Sequence, residues 1–168
     1  EGIGIGDSLL DFFSINEIES RIVKEYYKYK SDKKFVAAEF YDKPFFEIYK
    51  DGIQIHIKSN DKKYKIYGIS GNVWYEKNIN DCYKKQNQIE IELSKIFKNA
   101  KKEFGNYKLK SDKSGKSTTR AYYWFLENKD VITLECYDWS KEMEVSLGWA
   151  DNLRVSFVNK EIYDWFTN

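Results

Sequence analysis

The sequence predicts an α+β protein with an antiparallel meander sheet. Three observations carry that prediction. Several segments alternate apolar and polar residues with a period of two, the mark of half-buried strands. Tight-turn pairs such as Asp51-Gly52 and Asp151-Asn152 punctuate them. The strand-like segments come in two groups set between helical ones, and grouped strands joined by short turns fold as α+β rather than as alternating α/β.

Each element is justified in chain order. Asp7 and Ser8 precede a short apolar run, Leu9, Leu10, Phe12 and Phe13, and read as a helix entry. Ser14-Ile15-Asn16-Glu17 has the capping-box pattern, with a hydroxyl at the cap and a carboxylate three residues on. Ile15, Ile18, Ile22 and Tyr26 recur at helical spacing, which predicts a helix from about Ile15 to Tyr29. From Phe35 the period becomes two. Strands are expected over Phe35–Tyr41, Phe45–Lys50, Gly52–Lys58 and Tyr64–Ser70, with a further short one over Gly71–Glu76. Ile53, Ile55 and Ile57 share one face, which leaves His56 facing solvent with Gln54 and Lys58. Asn80 or Asp81 caps the longest helix, whose apolar stripe Ile89, Leu93, Ile96, Phe97, Ala100 and Phe104 ends at Gly105. Strands are expected again over Thr119–Glu127, Val131–Tyr137, Glu142–Trp149 and Leu153–Val158, and Asn159 caps a short last helix carrying Ile162, Trp165 and Phe166. Trp124, Trp149 and Trp165 sit on patterned faces and read as core. Trp139 falls in a turn, where an exposed ring is a candidate binding anchor and the alternative is a ring folded back onto the sheet.

The chain has 168 residues, enough for one domain over 1–168 with a substantial core, and a single proline, Pro44, so no proline-rich linker divides it. Fourteen Tyr, eleven Phe and five Trp argue against disorder despite a charged fraction of 33%. Lys and Arg number 28 against 27 Asp and Glu with the signs interleaved, which argues against a nucleic-acid partner. No apolar run approaches the roughly 20 residues of a membrane span. Glu1, not Met, opens the chain, either behind a cleaved leader or at a cut made elsewhere.

The chemistry-bearing motifs are few. Cys82 and Cys136 are too far apart for a CxxC motif and read either as separate buried thiols or as one disulfide of an exported protein. One histidine and two distant cysteines supply no metal-ligand cluster, and no cofactor is expected. Ser114-Gly115-Lys116-Ser117 ends like a P-loop, but Lys110 stands where its first glycine belongs and a strand follows, so a flexible hairpin loop is expected. Glu135, Asp138, Glu142 and Glu144 are close in sequence, and the ordinary reading is charge on the outer face of a strand.

Two resemblances follow from these residues. Gly6-Asp7-Ser8-Leu9 resembles the first block of the GDSL esterases, whose nucleophile would be Ser8. The family's Asp-x-x-His is missing, since Ile53 lies three residues before the only histidine, His56. The segment therefore reads as a helix cap, with a Ser8–His56 hydrolase as an alternative. The opening Gly2 to Gly6, followed by two helices and a meander over residues 2 to 70, resembles small exported domains of the BamE and β-lactamase-inhibitor-protein type. That resemblance implies a periplasmic or secreted, non-enzymatic module that binds a protein partner through a sheet face or the Trp139 loop. The helix–strands–helix–strands–helix order also looks like cytoplasmic chaperone- or immunity-type proteins. A small-molecule pocket under the sheet is a further option that sequence does not locate.

Overall fold

The structure is a computed structural model that describes residues 2–24, 26–27, 30–41, 51–76 and 78–167. It is α+β. A 3₁₀ turn at Leu9–Asp11 leads into α1 (Ile15–Arg21), β1 (Ile22–Val23), β2 (Phe35–Phe40), β3 (Ile53–Lys58), β4 (Ile66–Trp74) and α2 (Ile79–Ile96). β5 (Lys101–Lys108), β6 (Thr118–Phe125), β7 (Val131–Asp138), α3 (Lys141–Leu147), β8 (Asn152–Val158) and α4 (Lys160–Thr167) follow. The strands form an antiparallel sheet in the order β1-β2-β3-β4-β8-β7-β6-β5. The chain clusters into two compact units, Glu1–Gly71 with Ser156–Asn168, and Asn72–Val155.

In the first unit, α1 starts where the sequence places it. The Ser14 side chain accepts from the Glu17 N–H and the Glu17 carboxylate accepts from the Ser14 N–H, closing the capping box. The helix stops at Arg21, eight residues short of the expected end, because Ile22 and Val23 pair with Ala38 and Ala37 of β2. A sheet edge within reach takes over backbone hydrogen bonds that a second and third helical turn would have used. Ile53, Ile55 and Ile57 lie on the face covered by the N-terminal elements. They form a core with Leu9, Phe13, Ile18, Ala38, Phe40 and Ile66. The predicted pair of strands over 64–76 is one strand, β4, since Gly71 and Asn72 continue it without a turn. The expected Phe45–Lys50 strand lies outside the described residues.

The opposite face of the same strands is covered too. Tyr27 and α4 pack Trp165 and Phe166 over Phe35 and His56. His56 is therefore fully buried instead of facing solvent as its alternation implied. Its partner on β4 is Gly68, where an added Cβ would come within 2.9 Å of the imidazole and 3.0 Å of Val158, which favours glycine there.

In the second unit, Asn78, not Asn80 or Asp81, caps α2, its side chain accepting from the Asn80 N–H. The helix ends at Ile96 and not near Gly105; Phe104 and Gly105 belong to β5, which pairs with β6 over its whole length. The stripe beyond Ile96 has helical spacing by coincidence, and Ile96 itself is exposed. The buried positions of α2 are Cys82, Gln86 and Leu93. The Gln86 side-chain amide donates to the carbonyls of Arg120 and Leu134, at 2.7 and 3.0 Å, tying the helix to the sheet backbone. The strand expected over Glu142–Trp149 is not formed; Lys141–Leu147 make α3 instead. Ser140 caps it by accepting from Met143 N–H, and Gly148, at φ +66°, ends it in the left-handed conformation.

Candidate functional site

The features that bear on function lie on β6, β7 and the segment after β7. Cys136 is disulfide-bonded to Cys82 of α2, with Cα atoms 6.1 Å apart. That bond fixes which way β7 faces: Ile132, Leu134 and Cys136 point to the helix side, and Thr133, Glu135 and Tyr137 to the other. On β6, Trp124 sits on the helix side opposite Ile132 and is buried. Tyr123 and Phe125 share the other side with Thr133 and Val131 as their partners.

Glu135 is the charged centre of this other side. The Thr133 hydroxyl donates to its carboxylate at 3.1 Å. Burial raises the affinity of its carboxyl for a proton above the ordinary glutamate value, and the nearby Arg154 guanidinium, the Thr133 hydroxyl and Tyr137 offset that only in part. Burial, and then the negative charge of Glu135, push the Tyr137 phenol well above its ordinary value. Glu135 is thus a desolvated group supported by its neighbours, not the solvated strand-face charge expected from the sequence. The alternation of β7 gave no sign of this, because it is Arg154, on another strand, that faces it.

The aromatic run continues past the end of β7. The Tyr137 and Trp139 rings lie nearly parallel, 11° apart in plane with centroids at 5.7 Å, and Trp149 packs on Trp139 at 4.5 Å. The Trp139 backbone N–H donates to Asp151 Oδ1 at 2.8 Å, which holds the turn in place. Trp139 itself is half-buried, sandwiched between its two neighbours, so the outermost ring is that of Trp149, 40% exposed rather than in the core. α3 buries none of its residues, and Val145 and Leu147 are 75% and 52% exposed. The stacked Tyr137, Trp139 and Trp149 rings, with the exposed α3 that joins Trp139 to Trp149 in the chain, are called the aromatic shelf below. Acidic groups flank it. Burial raises the carboxyls of Asp138 and Asp151, and the charge of Glu144 raises both further. Glu142 is separately held by Lys116 at 2.8 Å, and its carboxyl lies below the ordinary value.

The residues of the esterase alternative are not joined. The Ser8 hydroxyl donates to the Lys63 carbonyl at 2.6 Å and accepts from the Leu10 N–H at 3.1 Å, capping the 3₁₀ turn. His56 engages other partners: Nδ1 meets the Tyr27 hydroxyl at 2.5 Å and Nε2 meets Ser70 Oγ at 3.2 Å. Ser70 in turn donates to Ser156 at 2.9 Å. Both ring nitrogens of His56 are thus engaged by buried hydroxyls, inside an aromatic cluster. The imidazole presents no free base to a serine nucleophile. The Lys113–Ser117 segment is a loop organised by Asp112. Its carboxylate accepts from the N–H and hydroxyl of both Ser114 and Ser117, which hold it well below the ordinary aspartate value. Those amides turn inward to a carboxylate rather than outward to a phosphate. Among the described residues, no group of three His, Cys, Asp or Glu side chains is placed to hold a metal ion, and no helix is long and apolar enough to cross a membrane. Comparison with protein-family models, with curated proteins and with solved structures finds no match for this chain.

Proposed function

We propose that the protein is a non-enzymatic module that binds a protein partner on the shelf of Trp139, Trp149 and α3. The observation that carries this reading is the exposure of Val145 and Leu147 on α3, a helix that buries none of its residues, and of Trp149 two residues past its end. Exposed tryptophan and aliphatic side chains with charged groups nearby are the usual composition of an interface hot spot. The half-buried Trp139 holds the Trp149 ring in place, which lowers the entropy lost on binding.

The Cys82–Cys136 bond supports an oxidising compartment, periplasmic or extracellular, in line with the resemblance of residues 2–70 to small exported domains. A cytoplasmic chaperone- or immunity-type protein is the competing placement, and it requires both thiols free in the native source. Alkylation of the denatured, unreduced protein separates the two: no label on either cysteine supports export.

The binding reading is tested by affinity capture from the native source with wild type and Trp149→Ala in parallel. A stoichiometric protein retained by wild type and weakened about tenfold or more by the substitution supports the shelf. Equal retention by both, or no partner with wild type, overturns it.

A further inference from the structure

We propose that β5 is a second docking surface, an open sheet edge that accepts an extended acidic segment of another protein as an added strand. This goes beyond the shelf reading and stands independently of it. β5 is the last strand in the sheet order, and its eight residues pair one-to-one with β6 from Lys101↔Phe125 to Lys108↔Thr118 without a bulge. The Leu109 N–H donates to the Ser117 carbonyl one pair beyond the end of that ladder. In an antiparallel ladder this sets the phase: the odd-numbered residues turn their backbone groups to β6, and Lys102, Phe104, Asn106 and Lys108 turn theirs outward. The backbone groups of these four residues have no partner among the described residues. The other edge strand, β1, has only two residues.

Proteins ordinarily blunt such an edge by shortening, bulging or covering it. β5 is straight, and every residue of it except Gly105 is exposed. It carries an aromatic on each face: Phe104 is 50% exposed with Tyr122 and the Arg120 guanidinium beside it, and Tyr107 is 47% exposed with its ring folded over Gly105. An added strand would find unpaired backbone for affinity and a ring on each side for its alternate residues, the pattern of strand-addition recognition.

The charge selects the occupant. Residues 101–117 hold six lysines against two acids. Lys101 and Lys102 are paired with Glu103 and Glu90, whereas Lys108, Lys110 and Lys113 form no salt bridge among the described residues and leave this margin of the sheet positive. A second copy would set positive edge against positive edge, while an acidic strand is drawn in.

The test uses the whole chain and two synthetic peptides of the length of β5, one alternating glutamate with valine and one alternating lysine with valine, read by fluorescence titration and amide hydrogen exchange. The expected result is binding of the glutamate peptide about tenfold or more tighter than the lysine peptide, with slowed exchange at Lys102, Phe104, Asn106 and Lys108. Asn106→Pro removes one outward N–H without touching the β6 ladder and is expected to weaken binding by about tenfold or more. Lys108→Glu narrows the preference between the two peptides even if the proline variant does not fold. Equal affinity for both peptides, or unchanged exchange at those four amides, overturns the proposal. So does protection at them that grows with protein concentration in the absence of peptide, which would make the edge a contact between copies.

Discussion

Removing the Cys82–Cys136 bond should be the most costly covalent change open to this fold. The bond closes a loop with a sequence separation of 54 residues, joining the first turns of α2 to β7, and both sulfurs are fully buried. In the chain-entropy account, a cross-link over a loop of that length restricts the unfolded chain by about 14 cal/mol/K, or about 4 kcal/mol at 25 °C. Cys82→Ala with Cys136→Ala deletes the link while keeping small apolar side chains in place, so the expected loss of unfolding free energy is about 4 kcal/mol. The assay is equilibrium denaturation of oxidised wild type, reduced wild type and the double variant, followed by circular dichroism. The two bond-free forms should coincide and lie below the oxidised protein by that amount. Gln86→Ala, one helical turn further along, removes only the amide anchors to Arg120 and Leu134 and should cost about 1–3 kcal/mol. A loss below about 1 kcal/mol in the double variant would refute the reasoning, because the loop would then be constrained in the unfolded state by something other than the bond.

Glu135, whose carboxyl is raised by burial, binds its proton more tightly in the folded than in the unfolded chain. Its contribution therefore favours folding at low pH and fades as pH rises from the ordinary glutamate value through the raised one. Glu135→Gln should flatten the fall in stability over that window, and a slope equal to wild type in denaturation curves across pH would contradict the assignment. Ser8→Ala removes a cap and a bond to the Lys63 carbonyl, which should cost about 1 kcal/mol. Any ester turnover present in wild type should survive in it, and turnover lost in proportion to Ser8 would revive the esterase reading. Trp149→Ala should leave thermal stability nearly unchanged while Trp124→Ala costs about 3–5 kcal/mol, since only Trp124 is buried in the core; similar melting losses for the two would remove the shelf from the surface.

The parts of this protein legible in its sequence are those set by neighbours in the chain. The capping box at Ser14 and Glu17 needs four consecutive residues, and the Ile53, Ile55 and Ile57 face needs only a period of two, so both follow from local pattern. The α+β class follows from the grouping of such segments. Where local signals competed, the pattern misled. Glu142 to Trp149 alternates like a strand, yet Ser140 at its start and Gly148 at its end have the chemistry of helix caps, and the caps won. Phe104 fits the helical stripe of α2 equally well, but β6 offers its whole length as a partner and draws residues 101–108 into the sheet.

The residues of the proposed site are placed by contacts that no local period encodes. Trp139 was marked by its position in a turn, but that Trp149 packs on it and becomes the exposed ring depends on the path of the chain around α3. Burial of Glu135 beside Arg154, and of His56 beneath Tyr27 and α4, brings together residues far apart in sequence. The sequence by itself determined the α+β class, the start of α1 and the isoleucine face of β3, because backbone geometry and side-chain period act over a few residues. Only the tertiary structure decided what covers the second face of each strand, and hence which polar groups lose their water, because desolvation depends on every element packed nearby.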